Sequence, residues 1–295
     1  MTAVAGDTSM VNGQAYAEVI GDPIGHSKSP TIHNHWLQRA HITAEYRASH
    51  VKSEDLAMFF EERRRDRLWR GCNVTIPHKQ AVMPLLDRID PAAERIGAVN
   101  TVRPEQGKLV GYNTDYIGFL EPLLPLLRQS HLFRMARIIG AGGAARAVAL
   151  ALHDQGFTNV IIARDLDKAR RLRDSFEPDD RLIASLESFA KPTDFPFDDR
   201  EGMLDLVVNT TSLGMTGQPP LLLDFSHVPP NSLVYDIVYA PLETPLLAEA
   251  RARGLRTVDG LNMLIGQAAA AFTLFFSTPP LRDADDELRA KLVAA

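Results

Sequence analysis

The chain has 295 residues, 45% of them hydrophobic and 23% charged, with a net charge of −5. That length suits two compact domains, and the acidic balance argues against a general nucleic-acid binder. A lone cysteine, Cys72, excludes an intrachain disulfide and fits a reducing cytosol. The opening MTAVAGDTSMVNGQ has neither the basic flank nor the apolar core of a signal peptide. The late stretch LIGQAAAAFTLFF is too short to span a bilayer and reads as a buried helix.

In chain order, AYAEVIG (15–21) predicts a strand closed by the turn GDPIG, and SPTIHNHWLQRAH a helix capped by Ser29 with Pro30 in its first turn. AEYRASHV reads as a second strand, SEDLAMFFEERRRDRL as a helix capped by Ser53, and GCNVTI as a third strand followed by the helix KQAVMPLLDRI. AVNTVRPEQGKLVGYNTD alternates apolar and polar residues around PEQG, which predicts a hairpin. The helix IGFLEPLLPLLRQS then leads into a regular alternation: strand ARIIG, helix AARAVALALHDQG, strand NVIIAR, helix DKARRLRDSF. LDLVVNTT, LVYDIVY and LRTVDG follow as strands, and the chain is helical again from Leu261. Strands alternating with helices mean a parallel sheet covered on both faces. The segment EPDDRLIASLESFAKPTDFPFDDREG reads as one short strand and an exposed loop.

GAGGAAR (140–146) follows an apolar strand and opens a helix, placing Gly140, Gly142 and Ala145 in a G-x-G-x-x-A pattern. Such a turn lets backbone approach a pyrophosphate, which the helix N-terminus then holds with its N–H groups. Arg164, at the end of the next strand, and Lys168, one turn on, suit the 2′-phosphate of NADP. Asp165 between them could repel that phosphate or bind the 2′-hydroxyl of NAD, and the loop favours NADP over NAD.

A nicotinamide needs a substrate beside it, and polar clusters in the first ~115 residues supply candidates. Ser27 and Ser29 stand two apart in a glycine-flanked turn and suit a carboxylate. NVTIPHK (73–79) presents Lys79 behind a proline, with His78 reading as a loop residue and Asn73 as a turn-stabilising amide. Asn100 lies in AVNT, and Asp115 ends the hairpin where the chain leaves this unit. Taken alone, Asp115 suits an N-cap of the following helix. The nine histidines include His33 and His35, but a spacing of two does not align ligands on a helix, so a metal site is not expected. The run EERRRDR reads as a solvated helix face.

Together GDPIGHSKSP, NVTIPHK, GAVNT, GYNTDYIGF, GAGGAAR, NTTSLGM, YDIVY and DGLNMLIGQAA resemble the shikimate dehydrogenase family, from about Val19 to Phe272. The resemblance implies NADP-linked interconversion of 3-dehydroshikimate and shikimate on the route to chorismate and the aromatic amino acids. It implies a Rossmann-type doubly wound α/β domain (119–258) inserted in an α/β substrate-binding domain (1–118 and 259–295), with a cleft between them. By motif, Ser27 and Ser29 hold the substrate carboxylate with help from Tyr239, and Thr75, Asn100, Asp115 and Gln267 bind ring hydroxyls. Lys79 and Asp115 match the catalytic pair. Cofactor contacts fall on Gly140, Ala141, Gly142, Gly143, Ala144, Arg164, Lys168, Thr211 and Gly260. Tyr112, Tyr116 and Asn262 depart from the family pattern and stand to reshape the cleft, and ARDLDK departs from its NADP loop. Alternatives are a quinate or aminoshikimate dehydrogenase using NAD, or a shikimate-binding regulator without turnover. The expected protein is cytoplasmic, a monomer or homodimer, with no nucleic-acid or membrane partner.

Overall fold

A computed structural model describes residues 13–175, 182–191, 202–225 and 228–294. The first part of the chain runs β1 (Ala15–Gly21), α1 (Ser29–Arg39), β2 (Ala44–His50), α2 (Leu56–Arg65), β3 (Trp69–Val74), β4 (Arg88–Ile89), α3 (Pro91–Ile96), β5 (Thr101–Glu105) and β6 (Lys108–Tyr112). These strands form a mixed six-stranded sheet in the order β2-β1-β3-β5-β6-β4. β1 pairs in parallel with β2 and β3, while β5 pairs antiparallel with β3 and β6. The β5–β6 hairpin turns through Gln106 and Gly107, both at positive φ (51° and 79°), which is the geometry a two-residue hairpin loop requires.

After α4 (Asp115–Leu120) and α5 (Leu124–Leu127), the second sheet is built from β7 (Phe133–Ile139), α6 (Gly143–Asp154), β8 (Thr158–Ala163), α7 (Leu166–Asp174), β9 (Leu182–Ser185), α8 (Leu186–Phe189), β10 (Met203–Asn209), β11 (Leu233–Asp236), α9 (Pro245–Ala252) and β12 (Arg256–Val258). Its order is β12-β11-β10-β7-β8-β9, all parallel. Read from β9, this is the 3-2-1-4-5-6 arrangement of a dinucleotide-binding sheet, whose ligand crevice lies at the strand C-termini where the order reverses. α10 (Gly260–Phe276) returns to the first sheet, and α11 (Asp285–Ala294) ends the described chain.

Two helices hold the halves together. In α6 nearly every side is buried, with Ala145 and the whole run from Ala147 to Leu152 covered. A helix apolar all round needs partners all round, and α6 finds them in its own sheet and in α3 and α4. One apolar core therefore contains Ile96, Ala98, Phe119 and Met263 together with Ile138, Val148, Leu206 and Tyr235. α10 is equally buried, packed against α4, α1, β3 and β5. No helix among the described residues is long and apolar enough to cross a membrane. On the other face of the second sheet, Arg137 of β7 is fully buried and paired with Asp205 of β10.

Several sequence expectations are corrected. Residues after Lys79 form no helix: successive turns give way to a 3-10 turn at Met83–Leu85 and then β4, because Pro84 has no N–H to continue a helical ladder. The helix expected after Tyr116 is broken into α4, a 3-10 turn at Glu121–Leu123 and α5 at Pro122 and Pro125. Neither serine caps its helix: Lys28 occupies the cap of α1 with Ser29 inside it, and Ser53 opens a 3-10 turn ahead of α2. β3 stops at Val74, which leaves Thr75 and Ile76 outside the strand. Of the poorly patterned segment, Leu182–Phe189 form β9 and α8, and 177–181 and 192–201 lie outside the described residues. So do 1–12, where the absence of a signal peptide was read, and Phe176, the expected end of α7.

Candidate active site

Lys79 and Asp115 come from different elements, 36 positions apart, and meet at 2.5 Å from Nζ to Oδ2. The turn carrying Lys79 is stitched down on two sides. Thr75 N–H donates to Ile20 O at 2.9 Å and Asp22 N–H to Ile76 O at 3.1 Å, placing it beside the GDPIGHS turn. Val99 N–H donates to Lys79 O at 2.8 Å, fixing it against the segment that holds Asn100. Asp115 is the first residue of α4 rather than its cap, so its carboxylate is free to face Lys79. Its N–H is satisfied by Asn113 Oδ1 at 3.0 Å, and Asn113 in turn donates to Ala98 O. Asn100 Nδ2 donates to the second carboxylate oxygen at 2.9 Å. The pair is largely withdrawn from water, at 16% and 7% side-chain exposure. An ammonium held this way is a shielded proton donor and cation.

Of the remaining expected substrate residues, Gln267 comes nearest the pair, through Thr114 next to Asp115. Ser27 Oγ accepts from Ser29 N–H at 3.3 Å, so the Ser-x-Ser turn is closed on itself. Gln267 lies 3.4 Å from the Thr114 hydroxyl and donates to Leu264 O. Tyr239 packs on the apolar cluster that includes Ile24 and Leu261, and burial pushes its phenol pKa up. One reading changes: Asn73 is a buried residue of β3, not a turn amide. His78 lies in a loop turn as expected, yet it is buried with Nε2 at 2.7 Å from Val51 O. Tyr112 and Tyr116 donate to Glu105 and Asp154, and Asn262 donates to Asp259, so none of the three engages Lys79 or Asp115. His33 stacks on Tyr46 at 3.9 Å, and burial pulls its pKa down to about 3.

The glycine turn lies directly against this pair. Gly140 has φ +121°, and a Cβ there would sit 2.3 Å from Thr210 Oγ1, so only glycine lets the turn close on β10. Gly142 caps α6 with no side-chain bond to the helix N–H groups, and a Cβ on it would meet nothing within 4 Å. An uncapped helix N-terminus with open approach fits a pyrophosphate. Ala141, Gly143 and Ala144 complete the turn, and a Cβ on Gly143 would touch Lys79 at 3.3 Å. The glycine-rich turn and the lysine thus share a wall. Thr211 donates to Asn209 Oδ1 at 2.8 Å and shapes the loop after β10. Gly260 opens α10 so close to β11 that a Cβ would lie 2.3 Å from Ile237 O.

Arg164 and Lys168 are both exposed beside the end of β8. Asp165 is turned into its own helix, where Oδ1 accepts from the N–H groups of Asp167 and Lys168 at 3.0 Å. The Lys168 N–H holds this carboxyl below its usual range. Asp236, which sequence reasoning missed, is fully buried and accepts from Asn209, Val238 N–H and Thr244, shaping the loop that follows β11 and tying it to the end of β10. Burial raises its pKa. An acid inside the apolar run LVYDIVY was the available signal.

Residues 19–102 match the family described as shikimate dehydrogenase substrate binding domain. The chain is 50% identical over 281 residues to a shikimate dehydrogenase (NADP(+)) of Sphingopyxis alaskensis, covering 95% of this chain and 97% of that one. It is 44% identical to the enzyme of the same name from Mesorhizobium japonicum, covering 97% and 98%. Among solved structures it is similar to a shikimate 5-dehydrogenase from Thermus thermophilus in complex with NADP(H) and shikimate. That likeness has a TM-score of 0.78 at 34% identity and covers 94% of this chain and 99% of that one.

Proposed function

The chain belongs to the shikimate dehydrogenase family, and we propose that Lys79 and Asp115 carry its reversible NADP-linked interconversion of 3-dehydroshikimate and shikimate. It is an NADP-dependent oxidoreductase acting on a CH–OH group. The observation that carries the site assignment is the shielded Lys79–Asp115 pair seated against Gly143 of the glycine-rich turn. We assign residues 1–118 and 259–295 to substrate binding and 119–258 to NADP binding, and we place the enzyme in the cytoplasm as a monomer or homodimer.

When bound, NADPH supplies the hydride. As negative charge builds on the ketone oxygen, the Lys79 ammonium stabilises it and donates the proton. Asp115 holds that ammonium in place, and in the reverse direction Lys79 takes the proton back. Ser27 and Ser29, with Tyr239, grip the substrate carboxylate, while Thr75, Asn100, Asp115 and Gln267 meet the ring hydroxyls. Gly140, Ala141, Gly142, Gly143 and Ala144 cradle the pyrophosphate, with Thr211 and Gly260 bordering the dinucleotide. Arg164 and Lys168 would hold its 2′-phosphate.

A carboxylate contact is made alike in ground and transition states, so Ser27→Ala is expected to act on KM. Losing one hydrogen bond to a charged group corresponds to about a tenfold rise in KM for shikimate, with kcat held within about twofold. Steady-state rates against shikimate check this, and an unchanged KM removes Ser27 from the carboxylate site. The cofactor assignment is tested by initial rates of shikimate oxidation with NADP and with NAD. The wild type is expected to favour NADP, and Arg164→Ala/Lys168→Ala to lose about tenfold or more in NADP affinity while NAD use is little changed. High salt shrinks the difference because both groups are exposed. Equal loss with both cofactors, or loss with neither, makes the basic pair a solvated patch.

A further inference from the structure

A line of buried polar groups runs from the core of the first sheet to Asp115. Tyr46 of β2, 1% exposed, donates its hydroxyl to Asn73 Oδ1 of β3 at 2.6 Å. Asn73 Nδ2 lies 2.9 Å from Thr101 Oγ1 and 3.3 Å from Asn100 O. Thr101 donates to Asn100 Oδ1 at 3.0 Å, and Asn100 Nδ2 reaches Asp115 Oδ1. Four separate segments contribute, so nothing local in the sequence announces the line.

The directions of the links follow from the groups that can only accept or only donate. Asn100 O is a carbonyl and only accepts, so the Asn73 atom facing it is Nδ2, and Oδ1 must face Tyr46. The Tyr46 hydroxyl is then a donor. Thr101 accepts from Asn73, so its one proton is left for Asn100 Oδ1 at 3.0 Å, a shorter contact than the Thr114 hydroxyl at 3.4 Å. Thr114 N–H, which only donates, meets the same Asn100 Oδ1 at 2.7 Å. Two independent donors thus fix the Asn100 amide with Nδ2 toward Asp115. Flipped, that amide would set Oδ1 against a carboxylate oxygen and Nδ2 against an N–H group. With Asn100 on Oδ1 and Lys79 on Oδ2, Asp115 accepts on both oxygens.

We propose that Tyr46, Asn73 and Thr101 are positioning residues of the active site. Their one-way hydrogen-bond line locks the Asn100 amide so that it holds Asp115 Oδ2 on the Lys79 ammonium. His33, stacked flat on Tyr46 at an interplanar angle of 4°, fixes the ring at the far end. The proposal rests on the reading of Lys79 and Asp115 as the catalytic pair.

The test uses Tyr46→Phe, Thr101→Val and the conservative Thr101→Ser, each in the wild type and in an Asp115→Ala background. Breaking one buried link is expected to lower kcat about tenfold, with KM for NADP unchanged and Thr101→Ser within about twofold of wild type. In the Asp115→Ala background the same substitutions should change kcat by less than about twofold, because the group they position is gone. Equal losses in both backgrounds, a parallel rise in KM for NADP, or failure of serine to restore the rate overturns the proposal. A second readout needs no turnover: exchange of the Asn100 side-chain amide protons with D2O, followed by NMR. Protection is expected in the wild type and Thr101→Ser, with at least about tenfold faster exchange in Tyr46→Phe and Thr101→Val. Unchanged protection in those two variants also overturns it. Protection that follows this pattern in a protein inactive on shikimate would leave the hydrogen-bond line standing and sink the functional reading instead.

Discussion

Lys79→Ala is expected to lower kcat for 3-dehydroshikimate reduction by a factor on the order of 10²–10⁴, while shikimate binding stays within a few-fold. The asymmetry follows from when the ammonium acts. In the ground state the ketone oxygen carries little charge, and the lysine contributes little to holding it. As the hydride arrives, charge builds on that oxygen, and only then does a nearby ammonium lower the energy steeply. The site makes the loss large because Lys79 is 16% exposed, so water is a poor substitute for it. Steady-state kinetics with a separate measurement of shikimate affinity by calorimetric titration decides the matter. Near-normal turnover removes Lys79 from the mechanism, and a collapse of binding with intact kcat makes it a substrate anchor only.

The second large effect is on stability. Asp205→Ala removes the Asp205 carboxylate from the fully buried Arg137 guanidinium in the interior of the second sheet. Removing one member of a buried ion pair costs about 3–5 kcal/mol, most of it the price of an uncompensated charge away from water. Burial already pulls the Arg137 pKa down against the opposing pull of Asp205, so that carboxylate helps to keep the charge tolerable. Urea unfolding should show a midpoint shift matching that loss. The double replacement Arg137→Met/Asp205→Leu should recover much of it, since neither charge is then buried. A single mutant within about 1 kcal/mol of wild type would mean that the guanidinium is satisfied by other groups.

The second sheet was legible because parallel strands covered on both faces read as apolar runs, as in ARII, NVIIA and LDLVVN. GAGGAAR gave the crevice, since strand, turn and helix adjoin in the chain. The hairpin was equally local. The stretch after Lys79 misled because its apolar spacing imitates a helix that Pro84 prevents, and α3, six residues long, is too short to show a period. The site divides the same way. Lys79 and Asp115 are each legible as candidates but become a pair only through the family resemblance, because nothing in either segment says that they meet. Tyr46, Asn73 and Thr101 were invisible as a group: each looks like an ordinary strand residue until the strands are paired. Asn73 was misread as a turn amide because Pro77 lies near it in sequence, whereas its partners lie on β2 and β5.

α6 belongs by sequence to the second sheet but buries its other flank on α3 and α4. The two halves are therefore not separable lobes joined by a strap. Cutting the chain after Gly118 would leave Ile96 and Ala98 facing water on one fragment and the outer flank of α6 exposed on the other. Each fragment would carry an apolar face with no cover, so neither is an autonomous folding module. The same shared wall ties catalysis to folding. The helix whose first turn we assign to the dinucleotide also packs on α3 and α4, so melting α6 is expected to disturb both halves in a single event.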